Sequence, residues 1–197
     1  MSEVEISTQH LITDGFDLGT SSDPYKSFVY TSFQELATYI LHNNVAKIAR
    51  KKGLKALAKM SRIIDGDEMR HHQAYSKFVK EIFTIDPSEM MLAFQHMMQH
   101  KIIMPAMYLR VSFGAKGSLF GDFSAVAKRV GVYTGFDYVY ILRKLNTIWE
   151  IDKITNLTPE VEKARDYLMH LPDRMYRITE GIVIPNTKFE FKWMLPA

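Results

Sequence analysis

The sequence predicts an all-α protein built from long antiparallel helices, and three observations carry that prediction. Residues Tyr25 to Lys52 run without glycine or proline, and Leu54 to Thr84 hold Gly66 as their only breaker. Between them sits Gly53, a natural stop or tight turn. An acid or hydroxyl followed by proline occurs at Asp23-Pro24, Asp86-Pro87 and Thr158-Pro159. Each pairs a side chain that can cap free amides with a ring whose φ already suits a helix.

The elements follow in order. Residues 1–22 are polar, with Gly15, Gly19 and the run Thr20-Ser21-Ser22, and predict a short helix or coil and then a loop. The two uninterrupted stretches come next as a helical hairpin about Gly53. A Met-rich helix is expected from Asp86-Pro87 to about Leu109, bent at Pro105. Gly114 and Gly117 mark a loop over 110–117. A short helix is expected near Leu119–Val130, and another from Gly135, capped by Thr134, to about Lys153. Thr158-Pro159-Glu160 opens a last helix that stops before Pro172, and the final fifteen residues predict extended or irregular chain.

A length of 197 residues and a mass of 22.8 kDa suit one domain spanning 1–197. With 47% hydrophobic and 24% charged residues, the composition is globular rather than disordered. No cysteine is present, which removes disulfides, thiol catalysis and zinc–thiolate sites together. No apolar run approaches the roughly 18 residues of a membrane span, so no membrane partner is expected. The N-terminus carries neither an apolar core segment nor an Arg/Ser-rich transit pattern, so a soluble intracellular protein is expected.

The segment Phe28 to Leu41 has a single charge, Glu35, and is otherwise apolar on nearly every side. Such a helix is expected to be surrounded by others, and a carboxylate there is costly unless a cation, a metal or several donors meet it. Thr38 stands one turn on. A plain structural role, Glu35 bonded to a buried Arg or Tyr, would also satisfy the pattern. Further along, Glu68 and His71 are spaced i, i+3 and leave the same helix face. Alone, that spacing is common and fits an exposed acid beside a surface histidine.

Geometry joins the two features. Glu35 lies 18 residues before Gly53 and Glu68 lies 15 after it, depths of roughly 27 and 22 Å at about 1.5 Å per residue. A Glu level with an ExxH on the antiparallel neighbour is half of a carboxylate-bridged di-iron site in a four-helix bundle. Oxygen ligands with one imidazole suit iron or manganese better than zinc. No second ExxH occurs. His96 and His100, spaced i, i+4 with no acid beside them, are expected at a helix surface or core edge, and His72 should point about 100° from His71.

From Leu36 to Ile64 there is no acid but seven cations, Lys47, Arg50, Lys51, Lys52, Lys55, Lys59 and Arg62, clustered round the hairpin turn. They suit either a solvated helix end or a docking patch for an acidic protein. Nucleic acid is disfavoured, since no aromatic residue is interleaved from Val45 to Arg62.

The stretches FVYTSFQELATY, GDEMRHHQAY, IDPSEMMLAF, KIIMPA and FSAVAKRVGVYTGFDY are long and collinear. Through them the chain, from about residue 8 onward, resembles the C-terminal part of the soluble acyl-acyl-carrier-protein desaturases. The resemblance implies a ferritin-like helical bundle with a di-iron centre, and insertion of a double bond into an acyl chain held on acyl carrier protein. Dioxygen and two electrons from ferredoxin would be consumed. It implies Glu35, Glu68 and His71 as iron ligands, Thr38 as the active-site threonine, and Asp67 as an acid orienting a histidine of the other ExxH helix. Leu18, Thr20, Ser27, Phe28, Met104 and Pro105 fall where the family lines its acyl channel. Acyl carrier protein and ferredoxin are both acidic, which favours the docking role for Lys47, Arg50, Lys51, Lys52 and Lys55.

The family's other Glu helix and first ExxH helix have no counterpart in this sequence, so the iron centre is expected to be incomplete in one chain. Two rival expectations follow. One is an inactive remnant that keeps carrier-protein binding. The other is a different di-iron helical protein, an iron store or a hydroxylase-like relative, assembled as a homodimer in which two half-sites sum to six ligands. The compartment expected is bacterial cytoplasm, or the plastid stroma for a plant protein.

Overall fold

The structure, a computed structural model, describes residues 5, 9, 12, 13, 15, 17–100, 102, 104 and 119–182. Its elements are α1 (Pro24–Lys51), α2 (Lys55–Ile85), α3 (Pro87–Gln99), α4 (Leu119–Val130), α5 (Gly135–Ile148), a 3-10 turn (Ile151–Lys153) and α6 (Pro159–Glu180). Among the described residues there is no strand, and the all-α class holds. The end of the expected Met-rich helix, including Pro105, the 110–117 loop and the last fifteen residues lie outside the described residues.

The capping signals work as their chemistry requires. Asp23 accepts from the amides of Tyr25 and Lys26 at 2.9 and 3.3 Å. Asp86 accepts from the Glu89 amide at 3.2 Å, and Asp137 accepts the Thr134 amide at 2.7 Å. Gly53 has φ +75°, a conformation open to residues without a Cβ. This lets the amides of Leu54 and Gly53 reach back to the carbonyls of Ala49 and Arg50 at 2.9 and 3.2 Å, closing α1 before the chain reverses.

Long helices bury little alone and are held by packing. The α1–α2 hairpin is the frame, with α3 and α5 laid against it and α6 against α3 and α5. Val29, Phe33 and Leu36 of α1, the Met90, Met91 and Phe94 row of α3, and Leu142 and Leu145 of α5 form one core. The methionines of α3 are therefore structural filling, adaptable side chains among rigid aromatics. Gly135 permits the approach of α5 to α6: a Cβ there would stand 2.6 Å from the Thr179 hydroxyl oxygen.

Three helix ends differ from expectation. The Met-rich helix ends at Gln99, because His100 turns extended (φ −97°, ψ 157°). The Gly135 helix stops at Ile148 rather than near Lys153. Glu150 adopts a left-handed conformation, φ 52°, and the chain re-forms as the 3-10 turn. Finally, α6 continues through Pro172 to Glu180. A proline inside a helix deprives the carbonyl four residues back of its donor, here that of Leu168. The buried Asn146 of α5 supplies the replacement, its Nδ2 donating to that carbonyl at 2.9 Å.

That repair makes a prediction. Asn146→Leu should lower stability by about 1–3 kcal/mol, the cost of an orphaned buried carbonyl. It should cost much less in a Pro172→Ala background, where the amide returns. Urea unfolding of the four chains measures the coupling, and equal costs in both backgrounds would refute the repair.

Candidate metal centre

The register of the hairpin brings the charged residues together. Gly53 lies 18 residues after Glu35 and 18 before His71, and the two side chains meet, His71 Nδ1 to Glu35 Oε2 at 3.2 Å. Glu68, one turn back from His71 on α2, places Oε2 3.8 Å from the same Nδ1. One ligand atom from each of Glu35, Glu68 and His71 lies within 4.8 Å of the others. The convergence inferred from helix rise is present. Further hairpin pairs fix the same register: His72 Nδ1 donates to the Ser32 carbonyl at 2.9 Å, and Asn43 Nδ2 to Asp65 at 3.1 Å.

Burial within the cluster is graded. The side chains of Glu35, Glu68 and His71 are 13%, 20% and 58% exposed. Burial first, then the neighbouring Glu68 carboxylate, push the Glu35 carboxyl up to about 7, with His71 pulling the other way. Two carboxylates held this close, one of them largely buried, are an arrangement whose repulsion a bound cation would relieve. The donor set fits one: two hard oxygen groups and an imidazole on two rigid helices suit iron or manganese.

His72 sits on the core side, its pKa lowered chiefly by burial, and is directed away from the cluster. Thr38 lies beside Glu35, its hydroxyl donating to the carbonyls of Gln34 and Glu35 at 3.1 and 3.0 Å. Asp67 pairs with Arg70 of its own helix. Of the residues matched to the acyl channel, Leu18, Phe28 and Met104 pack against the core, and Thr20 is buried. Ser27 donates to the Asp23 carbonyl at 2.9 Å. Pro105 lies outside the described residues. Lys47, Arg50, Lys51, Lys52 and Lys55 are all exposed about the hairpin tip. His96 and His100 stack with ring centres 4.2 Å apart, His96 half-buried and His100 exposed.

Sequence reasoning missed two features near the site. Asp65, 2% exposed, is held by Arg62 at 2.6 Å and by Asn43, locking the hairpin between site and tip. Its i−3 arginine was the available signal. Phe28, Tyr75 and Phe78 form an aromatic group with centroids 5.9–6.3 Å apart. Tyr75 follows Glu68 by seven residues and Phe78 follows His71 by seven, a spacing that was legible.

Two long antiparallel helices presenting two carboxylates and an imidazole to one point define a helical-bundle protein with a candidate carboxylate–imidazole metal centre. The model of the family described as fatty acid desaturase matches residues 1–195, and the chain belongs to that family. It is 47% identical over 180 residues to the chloroplastic stearoyl-[acyl-carrier-protein] 9-desaturase of Spinacia oleracea, covering 91% of this chain and 45% of the relative. It is 44% identical over 197 residues to the chloroplastic acyl-[acyl-carrier-protein] desaturase of Cucumis sativus, covering 98% and 49%. With the acyl-[acyl-carrier-protein] 6-desaturase of Thunbergia alata the identity is 41% over 180 residues, covering 91% and 46%. The chain thus spans about half the length of the curated relatives it matches. No helix among the described residues is long and apolar enough to cross a membrane.

Proposed function

We propose that this chain, folded as one domain over 1–197, is the C-terminal part of an acyl-[acyl-carrier-protein] desaturase, acting in the O2-dependent insertion of a double bond into a carrier-bound fatty acyl chain. The supporting observation is the convergence of Glu35, Glu68 and His71 in a chain similar to three desaturases of acyl carrier protein substrates.

Glu35, Glu68 and His71 would hold iron. Bound there, iron would supply the redox chemistry with dioxygen that breaks an unactivated C–H bond, which lies beyond any side chain. The protein's own share is binding and exclusion. Two carboxylates offset the ion's charge, and Phe28 and the core beneath keep water from an alkyl chain, with Leu18, Thr20, Ser27, Met104 and Pro105 lining its path. Thr38, one turn after Glu35, would supply the hydroxyl that passes a proton, and Asp67 would orient a histidine supplied from outside this chain. Ferredoxin supplies the two electrons, and two hydrogens leave the acyl chain as dioxygen is reduced to water. The exposed cations Lys47, Arg50, Lys51, Lys52 and Lys55 dock the acidic carrier protein by electrostatic steering. In a bacterium the compartment is the cytoplasm, and in a plant the plastid stroma.

Three donors suffice for one ion, so a two-iron centre needs ligands from outside a single chain. The test mixes the chain with the remaining half of the Spinacia oleracea relative, supplies ferrous iron, ferredoxin, reductant, dioxygen and acyl carrier protein bearing a saturated chain, and follows loss of two hydrogens by mass spectrometry. Desaturated product that disappears with Glu68→Ala supports the proposal. Iron-loaded protein that binds the acyl carrier and never converts it counts against it. Lys51→Glu/Lys55→Glu should weaken carrier binding about tenfold or more at low salt, and unchanged affinity would remove the docking role.

A further inference from the structure

Two histidines of α3 stand apart from the cluster on the hairpin. His96 and His100 lie one turn apart, and their rings stack with centres 4.2 Å apart and planes 30° from parallel. The His100 Nδ1 lies 2.7 Å from the His96 carbonyl oxygen. A carbonyl only accepts, so the proton of the neutral ring sits on Nδ1 and the Nε2 lone pair is left for a ligand. His96 is half-buried, and among the described residues no hydrogen bond engages its ring. Burial first, then Lys26 and His100, lower its pKa against an opposing pull from Asp23, so this imidazole too keeps a lone pair near neutral pH.

α3 packs on α1, and the charges felt by His96 place the pair beside the first turn of that helix. Lys26 stands nine residues before Glu35, about 14 Å of helix, so the pair is separate from the Glu35, Glu68 and His71 cluster. Two imidazoles at i, i+4 on one helix face can grip a single ion. Among the described residues no carboxylate joins them as a third ligand, and that selects the ion. Imidazole nitrogen suits zinc and copper, whereas manganese and magnesium want oxygen. The end of α3 favours a cation as well, since its last carbonyls carry the negative end of the helix dipole. The Lys26 ammonium opposes it, offset by Asp23, which pairs with Lys26 at 3.5 Å. We propose that His96 and His100 form a second metal site, for a divalent ion of zinc or copper type, with water completing the coordination. An ion held there ties the last turn of α3 to His100, the residue at which the chain turns extended. The site is independent of the metal-binding role proposed for Glu35.

Equilibrium dialysis of the 197-residue chain against Zn(II), with bound metal counted per chain, compares the wild type with His96→Gln/His100→Gln. Glutamine is a good helix former, and circular dichroism verifies the helices. The double variant should hold one Zn(II) fewer than the wild type. Whatever the Glu35 cluster and the remaining histidines bind is common to both chains and cancels in the difference. Each single substitution should weaken that ion at least tenfold, because one imidazole loses the gain from the second. Mn(II) uptake should be the same in the two chains. Equal Zn(II) counts in the wild type and the double variant would overturn the site. Single substitutions that bind within twofold of the wild type would show that the rings do not act as a pair. A loss of Mn(II) alongside Zn(II) would overturn the assignment of the ion.

Discussion

Glu35→Gln is expected to act in opposite directions on the metal-free and the cation-loaded protein. In the metal-free chain the fold favours the protonated carboxyl, because burial and Glu68 raise its pKa to about 7. The stabilisation from that proton is complete below the ordinary value of 4.5 and is lost as pH rises through about 7. Above that, the native state carries two crowded carboxylates beside one another. Glutamine keeps the shape and never ionises. At pH 8 and in chelator, Glu35→Gln should therefore be more stable by about 1–2 kcal/mol, a figure discounted for solvent entering past His71. Below the ordinary carboxylate pKa the difference should vanish. With Mn(II) at about a hundred times its dissociation constant, the wild type should gain about 2.7 kcal/mol and the variant little. The wild type's own Mn(II) affinity should rise with pH through about 7, since a proton has to leave for the cation to bind. Urea midpoints at both pH values, with chelator and with Mn(II), give all of these. A variant that matches the wild type in chelator at pH 8 would show that the two carboxylates do not repel one another in the fold.

What the sequence disclosed and what it hid divide along the range of the interactions. The Gly53 turn, the proline-marked starts and the level of Glu35 against the ExxH are local facts. Each depends on helix rise and on caps within four residues, so reading them needs no knowledge of tertiary packing. The exposure of His71 was not readable in that way. Spacing places a side chain at a height on a face but does not say whether another helix covers it. Pro172 misled for a related reason. Its local signal says stop, and the compensating donor, Asn146, stands 26 residues earlier on another helix. The break at Trp149–Glu150 carries no glycine to announce it. Glu150 takes its left-handed conformation while pairing with Lys80 of α2 and Lys153 at 2.8 and 2.6 Å. The family resemblance pointed to Glu35, Glu68 and His71 as candidate metal ligands, and the hairpin register brings the same three residues together independently. The agreement matters because it joins a matched pattern to a physical cause, two carboxylates held where only a proton or a cation relieves them.

The largest loss of stability should come from Trp149→Ala. Trp149 ends α5 and is 2% exposed. Its ring meets Phe94 of α3 edge-on at 4.8 Å and Phe83 of α2 at 6.0 Å. Its indole N–H donates to the Ser76 carbonyl at 3.1 Å, four residues beyond the buried His72 of α2. One side chain therefore joins three helices and fixes where α5 stops. Truncation removes the aromatic contacts and leaves a void that rigid neighbours fill poorly, a cost of about 3–5 kcal/mol. For a chain of this size that is roughly 6–20 °C in Tm. Trp149→Phe retains most of the ring and loses the donor, so it should cost about 1–2 kcal/mol. The effect should extend to the candidate metal centre, because α2 carries Glu68 and His71 on the turns just before Ser76. Mn(II) binding by Trp149→Ala should weaken, by several-fold at a temperature where the chain is still helical by circular dichroism, while Trp149→Phe binds as the wild type does. If Trp149→Ala melts within about 2 °C of the wild type, the ring is not the pin between α5 and the hairpin. If it melts early yet binds Mn(II) unchanged, the hairpin holds its ligands without help from the core behind it.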